Sequence, residues 1–389
     1  MKEAMQLRKM ATGKFQHWIE GADARDLAKE PMHVVRRRAL AELHRAFLDA
    51  QGRGAEGSCA TEALALCQEL GLSVRSGSVD KTDEDGEPLL VAAGSGGNVW
   101  ALELLLAAGC EVGSADPSGW TALHWASVLG HMESVVCLVK AGADVHARTE
   151  AGETCLTVAS GAGQSAVVQF LSEKGGGLLL RAVDSEGRSC AYLAAEQGRA
   201  KSLMVLVEAG GKQLLMLTTN GGWSCAFAAA RNGHAEALRI LIEAGGTELL
   251  MLTLDVWNTS CLHVASQNGQ METLRMLVEG GGQELLMLTN HEGWSCAFVA
   301  ARNGRTEALR MLVEAGGKEL LMLTNKDGAS CAYIACLHGH TEVLRMLIEM
   351  GGKELLMLTC KDGTSCAHVA SQNGHKEALR MLIEAGVDV

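Results

Sequence analysis

The sequence contains little proline, few aromatic residues and no long apolar run. Three prolines occur in 389 residues, and aromatic side chains make up 4% of a chain that is 48% hydrophobic. Its apolar surface must therefore come mainly from Leu, Ala, Val and Met, a composition that fits helices. Because no run of 18 apolar residues exists, we expect no insertion into a membrane.

The chain also lacks excess positive charge and a secretion signal. Its formal net charge of −12 argues against non-specific binding to nucleic acid or anionic lipid. The first residues contain no apolar segment of signal-peptide type. Since thirteen cysteines occur in a chain without such a signal, the sequence indicates a reducing compartment. We expect the cytoplasm, with the nucleus as an alternative.

A unit of 33–36 residues recurs along most of the chain, and the pentapeptide LLMLT alone occurs five times. A glycine after the first predicted helix aligns nine copies between about residue 82 and the C-terminus. Such a period predicts an open stack in which each module buries its apolar face against its neighbours. The aligning glycines are Gly96, Gly130, Gly163, Gly198, Gly233, Gly269, Gly304, Gly339 and Gly374.

Each copy predicts the same local structure. A turn such as Asn325–Gly328 precedes Ser330, whose hydroxyl suits the start of a helix. A short Ala-rich helix follows, and it ends at a glycine suited to a left-handed cap. A second helix places Leu238, Leu241 and Ile242 on one face and is expected to stop at a double glycine. The module is therefore a pair of antiparallel helices with a turn.

This pattern resembles the ankyrin repeat, whose signature T-P-L-H-x-A recurs with a period of about 33 residues. The closest match is TALHWA at Thr121–Ala126, and the resemblance covers roughly four fifths of the chain. It implies an all-α ankyrin-repeat solenoid of helix–turn–helix modules with protruding turns or hairpins. In the family, the signature histidine is expected to bond to the preceding hydroxyl.

Most modules depart from that signature. Its histidine remains at His124, His263 and His368, and aromatic residues such as Phe227 and Phe298 replace it in four modules. Those modules must depend more on apolar packing. Cysteine replaces the proline in seven modules, where we expect small buried residues; reactive or metal-binding thiols are the alternative. These cysteines are Cys155, Cys190, Cys225, Cys261, Cys296, Cys331 and Cys366.

The N-terminal region differs from the array. We predict that residues 1–81 form a helical region, a degenerate capping repeat, and that residues 82–389 form the nine repeats. Residues 34–50 fit an amphipathic helix, and residues 61–71 fit the second helix of an imperfect module. For the basic stretch at residues 36–45, a calmodulin-binding helix is an alternative.

Two further recurrent features allow more than one interpretation. Each LLML quartet either forms a short helical turn whose leucines seal the seam between modules or exposes part of an apolar stripe. Arginines of the second helices have Glu three residues before and four after, so we expect solvated ion pairs. A strip that binds phosphate or an acidic partner is the alternative. The arginines are Arg239, Arg275, Arg310, Arg345 and Arg380.

The resemblance implies a non-catalytic scaffold or adaptor, a monomer that binds protein partners and not nucleic acid. No phosphate-binding loop, kinase signature or zinc-ligand cluster occurs in the sequence, so we expect no cofactor, no metal and no enzymatic activity. The alternatives are a recognition arm of a larger kinase, ubiquitin ligase or channel, and a passive structural spacer.

By the same resemblance, partners are held on the concave face, by the turn tips and the exposed ends of the first helices. Indole side chains are frequent interface anchors, although a tryptophan before the capping hydroxyl also packs within the family. The expected binding residues are Trp120, Asn220, Trp223, Arg231, Asn232, Val256, Trp257, Gln267, His291, Glu292, Trp294, Arg302, Lys326, Asp327, Leu337 and His338.

Overall fold

The computed structural model describes residues 88–107, 110–252 and 258–387. Within them the chain forms eighteen helices and no β-strand. By contacts it divides into two compact units, Met1–Ala159 and Ser160–Val389, and each is described by itself. The helices are α1 (Leu89–Ser95), α2 (Val99–Ala107), α3 (Ala122–Leu129), α4 (Met132–Lys140), α5 (Cys155–Ala162), α6 (Ser165–Leu180), α7 (Cys190–Glu196), α8 (Ala200–Leu215), α9 (Cys225–Asn232), α10 (Ala235–Leu250), α11 (Cys261–Asn268), α12 (Met271–Leu286), α13 (Cys296–Arg302), α14 (Thr306–Leu321), α15 (Cys331–His338), α16 (Thr341–Leu356), α17 (Cys366–Gln372) and α18 (Lys376–Glu384).

Short first helices alternate with second helices of equal or greater length, as the nine predicted modules require. In the second unit, α7 packs against α8 of its own module and against α9 of the next module. The second helices α8 and α10 also pack against each other. Each module of this unit thus contacts the next through both of its helices, which confirms the predicted all-α stack of helix–turn–helix modules.

Every first helix from α7 onward begins at a serine that caps it. At the start of α9, the Ser224 hydroxyl accepts a hydrogen bond from the amide of Phe227 at 3.1 Å. Ser224 has an extended backbone, with φ −85° and ψ 163°, as an N-cap residue requires. The capping role that the sequence predicts for Ser330 is confirmed by the same bond from the amide of Tyr333.

In six modules the glycine after the first helix also makes room for a side chain of the next module. Gly198 has φ +65°, in the left-handed region that favours glycine. A Cβ atom there would lie 2.6 Å from Nδ1 of His234. The Nε2 atom of His234 in turn donates a hydrogen bond to the carbonyl of Glu196 at 2.9 Å. The backbone conformation and the neighbouring ring therefore both require glycine here.

A double glycine separates the body of each long second helix from one final helical turn. In α10, Gly246 has φ 66° and ψ −165°, a region almost closed to other residues. A Cβ atom on Gly245 would lie 2.5 Å from Cδ2 of Leu249. The sequence predicts the interruption and the short helical turn that follows it, but not that this turn packs back on the first glycine. The same geometry recurs in α6, α8, α12, α14 and α16.

The LLML quartets divide into a buried half and a partly exposed half. Leu249 and Leu250 are fully buried, whereas Met251 and Leu252 are only partly buried. The other four quartets show the same division, with Met357 the most exposed of their methionines at 49%. The interpretation that the quartets seal the stack is confirmed for the first two leucines. An apolar stripe is confined to the last two positions.

The aligned cysteines are buried residues of the stack, as expected. The Sγ atom of Cys225 donates to the carbonyl of Leu215 at 3.4 Å, and Cys190 makes the equivalent bond to Leu180. Burial raises the pKa of both thiols to about 12. A neutral thiol is a poor nucleophile and a poor metal ligand, so these residues act by packing. The eleven cysteines that the structure describes are all free.

Candidate binding surface

Two modules of the second unit build the same layered group of three side chains. In the first, the indole of Trp223 stacks on Phe227 with ring centroids 5.6 Å apart. The guanidinium carbon of Arg231 lies 5.4 Å from the centre of that indole. Phe227 is buried, Trp223 is half-buried and Arg231 is exposed. The group thus rises from the core to solvent and ends in a positive charge.

The second group repeats the first with a closer cation. Trp294 stacks on Phe298 at 5.5 Å, and the guanidinium carbon of Arg302 lies 4.5 Å from the indole centre. In both groups Phe and Arg lie four residues apart on a first helix, so they share one face of it. The apolar packing predicted for modules without the signature histidine is confirmed here, because the phenyl ring supports the indole.

Trp223 is also held by residues of the preceding module. It packs against a buried cluster of Tyr192, Leu193 and Ala228, of which the first two belong to α7. An indole fixed on two sides loses little further freedom when it contacts a partner, which favours binding. Trp223 therefore packs within the stack and is still partly exposed to solvent.

Two of the three retained signature histidines, His124 and His263, have a different, internal role, whereas His368 is exposed. In α11 the buried ring of His263 lies between the Ser260 hydroxyl, 2.7 Å from Nδ1, and the carbonyl of Trp294, 2.8 Å from Nε2. Since a carbonyl only accepts, Nε2 carries the proton and Nδ1 accepts from Ser260. Burial lowers the pKa of His263 to about 4. The expected bond to the preceding hydroxyl is confirmed, and it also forms between His124 and Thr121 at 2.9 Å.

The turn tips are joined to one another through their backbones. The amide of Asn220 donates to the carbonyl of Glu186 at 2.9 Å, and its side chain donates to Ser185 at 2.9 Å. The amide of Lys326 bonds in the same way to Glu292 at 3.0 Å. These bonds fix the tips and leave the side chain of Lys326 exposed. Asp327 and His291, at neighbouring tips, are exposed as well.

The ends of the first helices are linked from module to module by side chains. The Nε atom of Arg305 donates to the carbonyl of Gln267 at 3.1 Å, and Nε2 of His375 bonds to that of Leu337 at 3.1 Å. Asn232 donates to the carbonyl of Glu196. Three predicted binding residues therefore take part in these links. Gln267 and Leu337 accept hydrogen bonds through their backbone carbonyls, and Asn232 donates one through its side-chain amide.

His338 lies in a cluster of positive groups at the end of α15. Its ring centroid is 5.8 Å from that of His340, whose Nε2 donates to the carbonyl of Arg302 at 3.0 Å. Partial burial, followed by the charges of His340, Arg302 and His375, lowers the pKa of His338. Protonation of this ring therefore requires a lower pH than for an isolated histidine.

Not all of the predicted residues meet on this surface. Trp120 belongs to the first unit, where its ring lies 4.8 Å from that of Trp125. Val256 and Trp257 lie outside the described residues. Sequence reasoning missed Arg199 and Arg305, which follow the cap glycine and bond to a carbonyl 38 residues earlier. A signal was available in the sequence, because each of these arginines directly follows an aligning glycine and so occupies the same position of its module.

Three of the five aligned arginines of the second helices form ion pairs with glutamates that the sequence indicated. Arg345 lies 2.9 Å from Glu342, and Arg380 lies 2.6 Å from Glu377. Arg239 pairs with the equivalent Glu236 at 3.2 Å. In all three cases the partner is the glutamate three residues earlier, and more than half of each side chain is exposed. Solvated ion pairs are confirmed at these positions.

Comparison with known proteins identifies the family. A family model described as ankyrin repeats (3 copies) matches residues 57–149, 89–182, 193–286, 227–322 and 317–389, which together cover far more than half of the chain. The chain belongs to the ankyrin-repeat family. Ankyrin repeats mediate protein–protein interaction and are in general not catalytic. None of the described helices is both long and apolar enough to cross a membrane.

One curated relative shares a short segment with this ankyrin-repeat chain. Calmodulin-binding transcription activator 3 of Arabidopsis thaliana is 44% identical over 57 residues. The match covers 15% of the chain and 6% of the relative. The similarity thus concerns a small part of a much longer protein.

Proposed function

We propose that this ankyrin-repeat chain is a non-catalytic scaffold or adaptor that binds proteins through the turn tips and the exposed ends of its first helices. Membership of the family supports protein binding in general. The buried free thiols support a reducing compartment, the cytoplasm or the nucleus. The surface described above supports the more specific location of the contacts.

The observation that carries the proposal is the repeated Phe–Trp–Arg group. Trp and Arg are the side chains most often responsible for binding energy at protein interfaces. In both groups the arginine lies over an indole that is itself stacked on a buried ring. Such side chains are ordered before a partner arrives, so less entropy is lost on binding. A passive spacer has no use for this arrangement.

The proposal is tested by replacing both indoles, with Trp223→Ala and Trp294→Ala in one variant. Cell extract proteins retained by immobilised wild type and variant are compared by quantitative mass spectrometry. We expect the main partners of the wild type to be recovered at least tenfold less well by the variant, because a central tryptophan contributes about 2 kcal/mol or more to an interface.

A matched control carries Arg239→Ala, Arg345→Ala and Arg380→Ala on the second helices. It removes three exposed groups without changing the first helices, and it should retain the partners of the wild type. Circular dichroism of all three proteins confirms that they fold equally. Identical partner lists for the wild type and the tryptophan variant would contradict the proposal.

The second candidate is a recognition arm of a larger enzyme, such as a kinase or ubiquitin ligase, or of a channel. The relative in Arabidopsis favours it to a limited extent, since its matched segment is 6% of a longer chain. Sequencing of full-length transcripts tests this candidate. It requires an open reading frame that joins the repeats to a catalytic or channel domain.

A further inference from the structure

We propose that the first-helix ends of the second unit form a binding site for an acidic, extended segment of a partner protein. The proposal rests on the proposed function and adds the chemistry of the partner. The site is the cationic band, defined as Arg199, Arg231, Arg302, Arg305, His338 and His340.

The charges of this band are not neutralised within the described residues. Arg199 and Arg305 bond to the carbonyls of Gly161 and Gln267, and Arg231 and Arg302 lie over indoles. None of the four forms an ion pair with a described carboxylate. At the first-helix ends, the two positions before each aligning glycine hold a single acidic residue, Glu196.

The second helices of the same modules have the opposite charge balance. Each of α10, α12, α14 and α16 carries three Glu and no more than two Lys or Arg. Arg239 and Arg345 there are paired with glutamates of their own helices. Each second helix is thus net acidic whereas the first-helix ends carry net positive charge, and electrostatic complementarity directs a negative ligand to that face.

The His338 cluster supports the same conclusion. The positive charges of His340, Arg302 and His375 oppose the protonation of His338 and contribute to the lowering of its pKa. A carboxylate placed among these groups would relieve this repulsion and gain hydrogen bonds from imidazole and guanidinium donors. No described acidic side chain of the protein occupies that position.

The spacing of the modules sets the length of the ligand. Arg231 and Arg302 occupy the same position two modules apart, and helix packing separates adjacent modules by roughly 8–10 Å. An extended peptide advances about 3.3 Å per residue, so roughly five or six residues are needed to join the two arginines. A peptide is favoured over nucleic acid because membership of the ankyrin-repeat family supports a protein partner.

The experiment uses fluorescein-labelled deca-glutamate, tri-glutamate and deca-glutamine peptides and a ten-nucleotide single-stranded DNA. Fluorescence anisotropy measures binding to the full chain at 50 mM and 300 mM NaCl. We expect deca-glutamate to bind at least tenfold more tightly than each of the other three probes. We also expect its affinity to fall at least tenfold at the higher salt concentration, because screening weakens exposed charge contacts.

Three variants locate the site. Arg231→Ala with Arg302→Ala should weaken deca-glutamate binding at least tenfold, and Arg231→Lys with Arg302→Lys should restore most of it. Arg239→Ala with Arg345→Ala removes the same charge from the second helices and should leave binding within twofold. Circular dichroism excludes unfolding as the cause.

Absence of deca-glutamate binding, equal loss in the first-helix and second-helix variants, or tighter binding of the oligonucleotide would each overturn the proposal. None of these results affects the function proposed above. That function fails separately, if the Trp223→Ala, Trp294→Ala variant keeps every partner.

Discussion

The module of α11–α12 carries a histidine at the third position after its serine cap, whereas the modules of α9–α10 and α13–α14 carry phenylalanine there. We call these the histidine module and the aromatic modules. Their cap residues Ser260, Ser224 and Ser295 agree in φ and ψ to within a few degrees. The ring of His263 forms hydrogen bonds with the hydroxyl of Ser260 and with the carbonyl of Trp294. Phe227 and Phe298 instead support indoles that reach the surface.

The difference shows that one backbone position serves two purposes without changing the fold. Where it forms hydrogen bonds, the side chain links one module to the next inside the stack. Where it is a phenyl ring, the position supports an indole and a cation at the surface. The residue near the end of the first helix changes with it. In the aromatic modules it is Arg231 or Arg302, and in the histidine module it is Gln267. Specificity in such an array therefore lies in a few positions per module.

The largest expected effect tests whether the two kinds of module share the same core. Leu249 belongs to an aromatic module and Leu285 to the histidine module, and both are 0% exposed. Each Leu→Ala change should lower the free energy of unfolding by about 2–5 kcal/mol, since it removes buried methyl groups and leaves a cavity. Urea unfolding followed by circular dichroism measures both losses.

The two losses should agree to within about 1 kcal/mol, because the sites have the same neighbours at the same spacing. Met251→Ala, at a partly buried position of the same quartet, serves as the control and should cost much less. A much larger loss for one leucine than for the other would show that the modules differ in their cores as well as at their surfaces.

The second effect is a pH dependence that the buried His263 contributes to the histidine module. Burial lowers the pKa of His263 to about 4, below its usual 6.5. As the pH falls from 6.5 to about 4, the unfolded chain takes up a proton that the folded chain does not. The contribution of His263 to the free energy of unfolding is therefore fully present above this window and is lost as the pH falls through it. The loss is at most about 3 kcal/mol.

The variant His263→Phe converts the histidine module to the aromatic type and removes this contribution. Urea unfolding of both proteins at pH 7.5 and pH 4.5 isolates it, since His124 and the other titrating groups are common to the two. The wild type should lose more stability than the variant between these pH values. Equal losses would mean that His263 titrates normally in the folded protein.

The architecture and the surface differ in how far the sequence predicts them. Repeated Ser and Gly positions act within one helix or turn, so the capping at Ser330 and the glycine after each first helix could be read directly. The short helical turn after Gly246 could be predicted as well, but its packing on Gly245 could not, because that contact crosses the turn. Trp223 and Arg231 were both predicted as binding residues, but their mutual contact was not.

That contact joins Arg231 on α9 to Trp223, which lies before the helix begins, while Arg305 depends on a carbonyl in another module. Sequence periodicity gives positions along the chain but not the direction of a long side chain. Charged residues at the helix ends could therefore be named as candidates, whereas their unpaired state required the structure.

The smallest effect separates the two kinds of module at their surfaces. Arg302→Ala removes a cation that lies 4.5 Å from an indole centre, and such an exposed contact contributes about 0.5–1 kcal/mol. Arg231→Ala should cost less, because its distance is 5.4 Å. Gln267→Ala, at the equivalent position of the histidine module, should be nearly neutral. Urea midpoints that rank the variants in this order would show that the rings stabilise the arginines. Three equal midpoints would show that the arginines gain no stability from contact with the indoles.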